Sequence, residues 1–258
     1  MFRFRIGENM NIAIIGYGKM GHIIEKLAIE KGLTIKAIID PVADGATHKE
    51  ISGESLKDVD VCIEFSIPEV VIDNVTKIAA LKKNLVLATT GWYAKLGEVK
   101  SIVKKAGIGF VYASNFSIGV NIFFKMIESA AKIIDKIADY DVFGYELHHN
   151  RKKDSPSGTA KSIEKILLDN IKRKKKIVED KLDRKINADE LHFASVRGGD
   201  IPGTHVVGFD STADTIELKH TARSREGFAL GAIMAAQWLK GKKGFFTIED
   251  MMKDITKY

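Results

Sequence analysis

The residues NIAIIGYGKMG, positions 11–21, decide how the rest of the chain is read. Asn11–Ile15 is a short apolar run of strand type. Gly16-Tyr17-Gly18-Lys19-Met20-Gly21 then fits G-x-G-x-x-G and leads into a helical pattern that runs to about Lys31. In that setting the glycines serve a tight turn, close approach of backbone to a pyrophosphate, and close packing of helix on strand. The start of the helix adds unpaired N–H groups and a positive dipole end. Thr34–Ile39 reads as a second strand ending at Asp40, 24 positions after Gly16, where a carboxylate can accept from ribose hydroxyls. A purely structural glycine turn would carry the same letters. Strand, helix and acid in register favour a dinucleotide site.

Outward from this unit, strand and helix alternate. Val59–Phe65, Leu85–Ala88 and Ile108–Tyr112 are strand-like, separated by helical segments near Pro68–Lys83 and Tyr93–Lys105. Repeats of this kind imply a Rossmann-like, doubly wound parallel sheet with helices on both faces. The rhythm changes after Asn115. A helix at Val120–Ile134 leads to a strand at Asp141–His148, then a helix at about Ala160–Lys174. Strands follow near Leu191–Val196, His205–Phe209 and Thr215–His220, and helix returns at Gly227–Leu239. Short links between the later strands suit a mixed, mostly antiparallel sheet in a second α+β domain. The expected division is 1–116 for dinucleotide binding, completed by C-terminal helices at about 226–258, and 117–225 for substrate binding and oligomerisation. Thr247 reads as the N-cap of a last helix with an acidic first turn.

Composition narrows the class. The 258 residues hold 45% hydrophobic and 29% charged side chains, the balance of an ordinary globular protein. Cys62 is the single cysteine, which excludes an internal disulfide and a cysteine metal site; in an apolar strand it reads as a buried residue. No apolar run reaches the roughly 18 residues of a membrane span. Met1–Asn9 carries basic residues without the apolar core of a secretory signal, so a cytoplasmic location is expected. The net charge of +6 is dilute over this length. Its densest run, Lys172–Lys176, lacks interleaved aromatics and reads as a solvated helix end, not a nucleic-acid surface.

Chemistry concentrates at Glu146-Leu147-His148-His149-Asn150-Arg151-Lys152-Lys153-Asp154-Ser155-Pro156-Ser157-Gly158-Thr159-Ala160. Adjacent histidines on a strand point to opposite faces, and none of the seven histidines has metalloprotease-type spacing, so no metal is expected. Histidine and lysine near one pocket suit proton transfer, since each can be tuned toward neutral pH. Ser157-Gly158-Thr159 at a helix start suits an anion. A strand ending in a basic loop before a capped helix is the plainer reading. In the first half, Ala88-Thr89-Thr90-Gly91 and Ala113-Ser114-Asn115-Phe116 follow strands, at the sheet edge where ligands bind; each alone is also an ordinary turn.

Taken together these stretches resemble the 4-hydroxy-tetrahydrodipicolinate reductase (dihydrodipicolinate reductase) family. Glu146–Ala160 is similar to its E-x-H-H-x-x-K-x-D-x-P-S-G-T-A signature, with Ser155 in place of the usual alanine. The likeness extends to Gly16–Gly21, Ala88–Gly91, Ala113–Asn121, Arg197–His205 and His220–Ala229, so it spans nearly all of Asn11–Leu239. Lys172–Ala188 has no distinctive match, and Met1–Asn9 precede the usual start.

The resemblance implies an NAD(P)H-dependent reductase of a cyclic imine diacid in lysine and diaminopimelate synthesis. His148 and Lys152 would then supply the proton, and His149, Gly158 and Thr159 would bind the small dicarboxylate. The cofactor would lie along Gly16–Gly21, Asp40, Ala88, Thr89, Thr90 and Ala113–Phe116. His205, His220 and Arg225 would have support or hinge roles, and Glu146 would orient its neighbours. Asp40 favours NADH, since Pro41-Val42-Ala43 supplies no cation for a 2′-phosphate, while Lys19 or a distant lysine leaves NADPH possible. The family is commonly tetrameric through the second sheet. Two other readings share the glycine loop: a dehydrogenase with a different second domain, and a dinucleotide-binding regulator that does not need His148 or Lys152.

Overall fold

The structure is a computed structural model that describes residues 10–255; the basic stretch Met1–Asn9 lies outside that range. In chain order the main elements are β1 (Asn11–Ile15), α1 (Lys19–Glu30), β2 (Thr34–Ile39), β3 (Val61–Glu64), α2 (Val71–Ala80), β4 (Asn84–Leu87), α3 (Leu96–Ala106) and β5 (Gly109–Tyr112). They continue with α4 (Ile118–Ile134), β6 (Asp141–His148), α5 (Gly158–Asn170), β7 (Lys176–Val178), β8 (Glu190–Arg197), β9 (Thr204–Asp210) and β10 (Thr215–Thr221). The last are α6 (Glu226–Leu239), β11 (Gly244–Thr247) and α7 (Ile248–Ile255). Two compact units result: one reaches Ile118 and resumes at Arg225, the other is Gly119–Ser224.

The first unit is a six-stranded parallel sheet in the order β11-β5-β4-β3-β1-β2. Its strands are mostly apolar because both faces are covered, although β3 ends on the buried Glu64 and β2 exposes Thr34 and Lys36 near its start. Along β1 the side chains alternate: Ile12 and Ile14 pack with α1, α6 and α7, while Ala13 and Ile15 pack with α2 and α3. The chain leaves β1 for β2 on one side and returns to β3 on the other. The switch point, where open α/β sheets bind ligands, is therefore between β1 and β3. At the start of α7 the Thr247 N–H and hydroxyl both donate to Asp250 Oδ2, at 2.9 and 3.2 Å, so the acidic first turn reaches back to Thr247 as in one half of a capping box.

The second unit has a five-stranded sheet, β10-β9-β6-β8-β7, packed on α4 and α5 through Phe123, Ile127, Ile163, Leu167, Phe193 and Phe209. The sheet is mixed as expected, but antiparallel pairing does not dominate. β10–β9 and β9–β6 are antiparallel, whereas β6–β8 and β8–β7 are parallel. Strand β7, too short to show a pattern, makes the difference.

The basic run corrects a second expectation. Helix α5 stops at Asn170 because the buried Ile171 turns extended (φ −114°, ψ 94°). Lys172–Lys176 therefore forms a turn into β7, not a solvated helix end. Lys174 is buried; its Nζ meets Asp141 Oδ1 at 2.6 Å and the carbonyls of Glu190 and Ala188 at 2.7 and 3.0 Å. Arg173 donates to the carbonyl of Ile134, at the C-terminal end of α4, at 3.1 Å. Cys62 is buried in β3, and burial pushes its thiol up to about 12.

Candidate active site

In the first unit the site is built on the loop after β1. Gly16 has φ +88°, and a Cβ there would sit 2.4 Å from the Phe65 carbonyl oxygen. No other residue fits between the ends of β1 and β3. A Cβ on Gly21 would lie 2.5 Å from Gly16 O, the contact that brings α1 tight against β1. Gly18 faces open space, and α1 begins there with neither a side-chain cap nor an acidic first turn. Its N–H groups and dipole are left for an anion. A dinucleotide pyrophosphate fits this cradle.

Tyr17 turns inward instead of toward a ligand: its hydroxyl donates to Glu25 and its ring packs on His22 at 3.9 Å. Its N–H is committed to Asp40 Oδ2 at 2.8 Å. The other carboxylate oxygen of Asp40 accepts from Val42 N and Ala43 N at 3.0 and 2.8 Å. Burial works to raise the Asp40 pKa, but the three N–H donors and Lys49 outweigh it and hold the group below the usual range. Lys49, whose Nζ reaches the Ala43 carbonyl at 3.3 Å, brings a cation to this corner that the local sequence Pro41-Val42-Ala43 does not reveal.

Beside the loop lies a cavity of about 210 Å³. Six of the expected cofactor residues line it: Met20, Ala88, Ala113, Ser114, Asn115 and Phe116. Phe65, Phe228 and Arg225 complete the wall. Sequence reasoning missed the two phenylalanines and gave Arg225 only a supporting part. Lys19 and Thr90 are exposed and do not line the cavity. Thr89 is buried, and its carbonyl accepts from Trp92 Nε1 at 2.8 Å, which fixes the loop after β4.

In the second unit, strand register assembles the site. Glu146 on β6 stands between Ser195 on β8 and His205 on β9, and His148 pairs with Arg197. With a period of two, Glu146, His148, Ser195, Arg197 and His205 share one sheet face. Ser157, the N-cap of α5, closes over it. Glu146 is fully buried, yet every lone-pair direction is used. Oε1 accepts from Arg197 Nη2 at 2.7 Å and from Ser157 N and Ser195 Oγ at 2.9 Å each. Oε2 accepts from Ser157 Oγ and lies 3.2 Å from His205 Nε2. Burial alone would raise the pKa of this carboxyl, but the donors His205, Ser157 and Arg197 hold it well below the usual range.

His148 is also buried, with Nδ1 3.4 Å from Glu146 Oε2. Burial dominates: it pushes the imidazole down to about 4 despite the neighbouring carboxylate, with His205, Lys152 and Arg197 acting in the same sense as burial. The expected tuning toward neutral pH is therefore not what the surroundings of His148 produce. Lys152 Nζ is held by Asp154 at 2.8 and 3.0 Å. The strand end is clamped by Gly198 N to His148 O at 2.9 Å and His149 N to Ile201 O at 2.8 Å. Gly158 and Thr159 open α5, whose first turn has no acidic side chain. His220 on β10 pairs in register with His205 on β9, so it stands on the same sheet face at the edge of this cluster, its ring 5.8 Å from Phe123; burial, and then His205, hold its pKa below the usual imidazole value.

Glu146, His148 and His205 are close enough to offer one ligand atom each to an ion. Arg197 and Ser157 already occupy the carboxylate, and an ion there would face the guanidinium. Ser157 and His205 instead close a hydrogen-bonded network on Glu146, and His148 stands beside it.

Comparison with known proteins matches both units. The family described as "Dihydrodipicolinate reductase, N-terminus" matches residues 10–116, and "Dihydrodipicolinate reductase, C-terminus" matches 119–252. The 4-hydroxy-tetrahydrodipicolinate reductase of Christiangramia forsetii is 39% identical over 250 residues, covering 96% of this chain and 100% of that one. The protein of the same name from Archaeoglobus fulgidus is 35% identical, covering 95% and 100%. Among solved structures, the dipicolinate-bound dihydrodipicolinate reductase from Paenisporosarcina sp. TG-14 superposes with a TM-score of 0.75 at 19% identity, covering 95% of this chain and 100% of that one. That likeness supports the fold.

Proposed function

The chain belongs to the dihydrodipicolinate reductase family, and from that membership we propose how its own residues perform the reaction. The activity is NAD(P)H-dependent reduction of 4-hydroxy-tetrahydrodipicolinate to tetrahydrodipicolinate, in the diaminopimelate route to lysine. The cofactor supplies a hydride. The uncapped start of α1 and the cradle around Gly16, Gly18 and Gly21 would hold its pyrophosphate. Asp40 would accept from the ribose, and Ala88 and Ala113–Phe116 would line the nicotinamide end, with Thr89 and Thr90 in the adjoining loop after β4.

Loss of water from the hydroxylated ring leaves a conjugated imine. Hydride addition at C4 gives an enamine, which takes a proton at C3. We assign that proton to the pair His148 and Lys152. The low pKa of His148 leaves it neutral near pH 7, so the charged partner of the pair is Lys152, which also favours negative charge moving toward the ring nitrogen. His149 and the first turn of α5 at Gly158 and Thr159 would take the substrate carboxylates. The observation that carries this assignment is that His148 ends β6, Lys152 acts on it electrostatically from the loop that follows, and that loop leads into the start of α5, whose first turn holds no acidic side chain.

NADH is the favoured cofactor, because Asp40 repels a 2′-phosphate; Lys49 is the lysine that would let NADPH bind as well. For assembly we propose a homotetramer through the second sheet. The face opposite Glu146 carries Phe143, Tyr145 and Leu147, partly exposed, and Val196 at 51% exposure. Light scattering on the purified protein tests the subunit number, and a monomer would contradict it. A cytoplasmic location is consistent with the pathway; among the described residues no helix is long and apolar enough to cross a membrane. The activity test is oxidation of NADH, then NADPH, with the diacid made freshly from pyruvate and aspartate semialdehyde. Tight NADH binding without turnover would refute the enzyme reading.

A further inference from the structure

The carboxylate of Glu146 is the most heavily bonded side chain of the second unit, and none of its contacts is with solvent. Its donors come from β8 (Ser195, Arg197), from β9 (His205) and from the N-cap of α5 (Ser157). Arg197 also donates to the Asp154 carbonyl at 2.8 Å, so the same network holds the loop between Lys152 and α5. One carboxylate thus ties the strand that carries His148 to the helix start that carries Gly158 and Thr159.

The arrangement is asymmetric about the His148 ring. Nδ1 is buried and has no hydrogen-bond partner among the described residues; the nearest charged atom is Glu146 Oε2 at 3.4 Å. A carboxylate only accepts. A lone pair on Nδ1 would face a negative oxygen out of water, while a proton there is attracted to it. At the other end of the ring, Nε2 faces Gly203 (φ +150°), where a Cβ would come within 3.0 Å. Glycine leaves open the space beside Nε2 that any other side chain would fill.

We infer that Glu146 is a positioning residue that holds His148 as the Nδ1–H tautomer, so that Nε2 presents a lone pair, not a proton, to the space beside Gly203. The consequence for the reaction rests on the reading of His148 as a substrate-facing residue. In the resting protein, Nε2 then accepts a hydrogen bond from whatever group enters that space. The tautomer itself is a property of the free protein.

Solid-state ¹⁵N NMR of histidine-labelled, wild-type protein at neutral pH tests the tautomer, with His148→Gln used to assign the signal. The expected spectrum has a protonated Nδ1 and an unprotonated Nε2 for His148; the reverse pattern overturns the inference. Glu146→Gln, which keeps the shape but removes the charge, should populate both tautomers. It should also lower kcat on the order of tenfold to a hundredfold, the scale on which carboxylates that orient metal-bound histidines act, with NADH affinity unchanged. An unchanged tautomer and kcat in that variant would likewise refute it. Should Glu146→Gln fail to fold, the wild-type spectrum still decides. A wild-type protein with the expected tautomer but no turnover of the diacid would refute the functional assignment alone.

Discussion

Tyr17 N donates to Asp40 Oδ2 at 2.8 Å, so the residue proposed to read the ribose is also an anchor of the glycine loop. Both carboxylate oxygens of Asp40 are partly engaged by backbone, and a ribose hydroxyl would use the remaining lone pairs. Asp40→Asn keeps one oxygen for the loop and removes the charge. A charge-assisted hydrogen bond is worth about 1.5–3 kcal/mol, so the cofactor preference should shift toward NADPH by roughly tenfold or more. Titration with both cofactors measures it. Equal losses would mean that Asp40 serves the loop alone.

The low pKa of His148 has a sign that can be checked. The folded protein binds this proton less readily than the unfolded chain, because burial disfavours the imidazolium. Its contribution to stability is therefore intact above the ordinary value of 6.5 and is lost as pH falls toward about 4. The kcat profile should show no limb from His148 near pH 6.5. A His148 resonance that titrates near 6.5 would contradict the packing described for it.

Gly203 tests the space beside His148 Nε2. Gly203→Ala forces a positive φ on a residue with a Cβ, at a cost of roughly 1–3 kcal/mol, and brings that Cβ to 3.0 Å from the imidazole. Turnover should fall in the fraction that remains folded, while NADH binding is kept. Wild-type kcat in the folded variant would show that the close approach has no functional weight.

Lys174 should matter for stability and Lys175 should not. Lys174→Met fills the same volume but leaves Asp141 and two carbonyls without their cation, a loss of about 1–3 kcal/mol. Lys175 is exposed, and its replacement by Met should fall within about 0.5 kcal/mol of wild type. Urea unfolding compares the two; equal effects would contradict the buried role of Lys174.

These contrasts show which features local sequence can carry. The Gly16–Gly21 loop was legible because strand, glycines and helix are contiguous, and the Glu146–Ala160 stretch because its polar groups sit on one strand, loop and helix start. The partners of Glu146 were not. Ser195 and His205 reach it only through a strand register set some 50 residues away, by the pairing of β6 with β8 and β9. Arg225, Phe65 and Phe228 entered the cavity wall for the same reason: Phe65 follows β3, and Arg225 and Phe228 come from the start of α6, far along the chain. In the run Lys172–Lys176 five like charges looked equivalent, and tertiary packing alone buried the third of them. Lys49 reached the Asp40 corner through a loop with no periodic pattern.

The most direct test of the account compares wild type with Lys152→Met in NADH oxidation driven by the freshly made diacid, with NADH affinity measured separately by fluorescence. Removing the proposed proton donor should lower kcat by about 10²–10⁴-fold and leave NADH affinity as it was. His149→Gln and Thr159→Ala, at the residues proposed to hold the substrate carboxylates in ground and transition states alike, should instead raise KM. Near-normal kcat in Lys152→Met would contradict the proposed division of labour in this site.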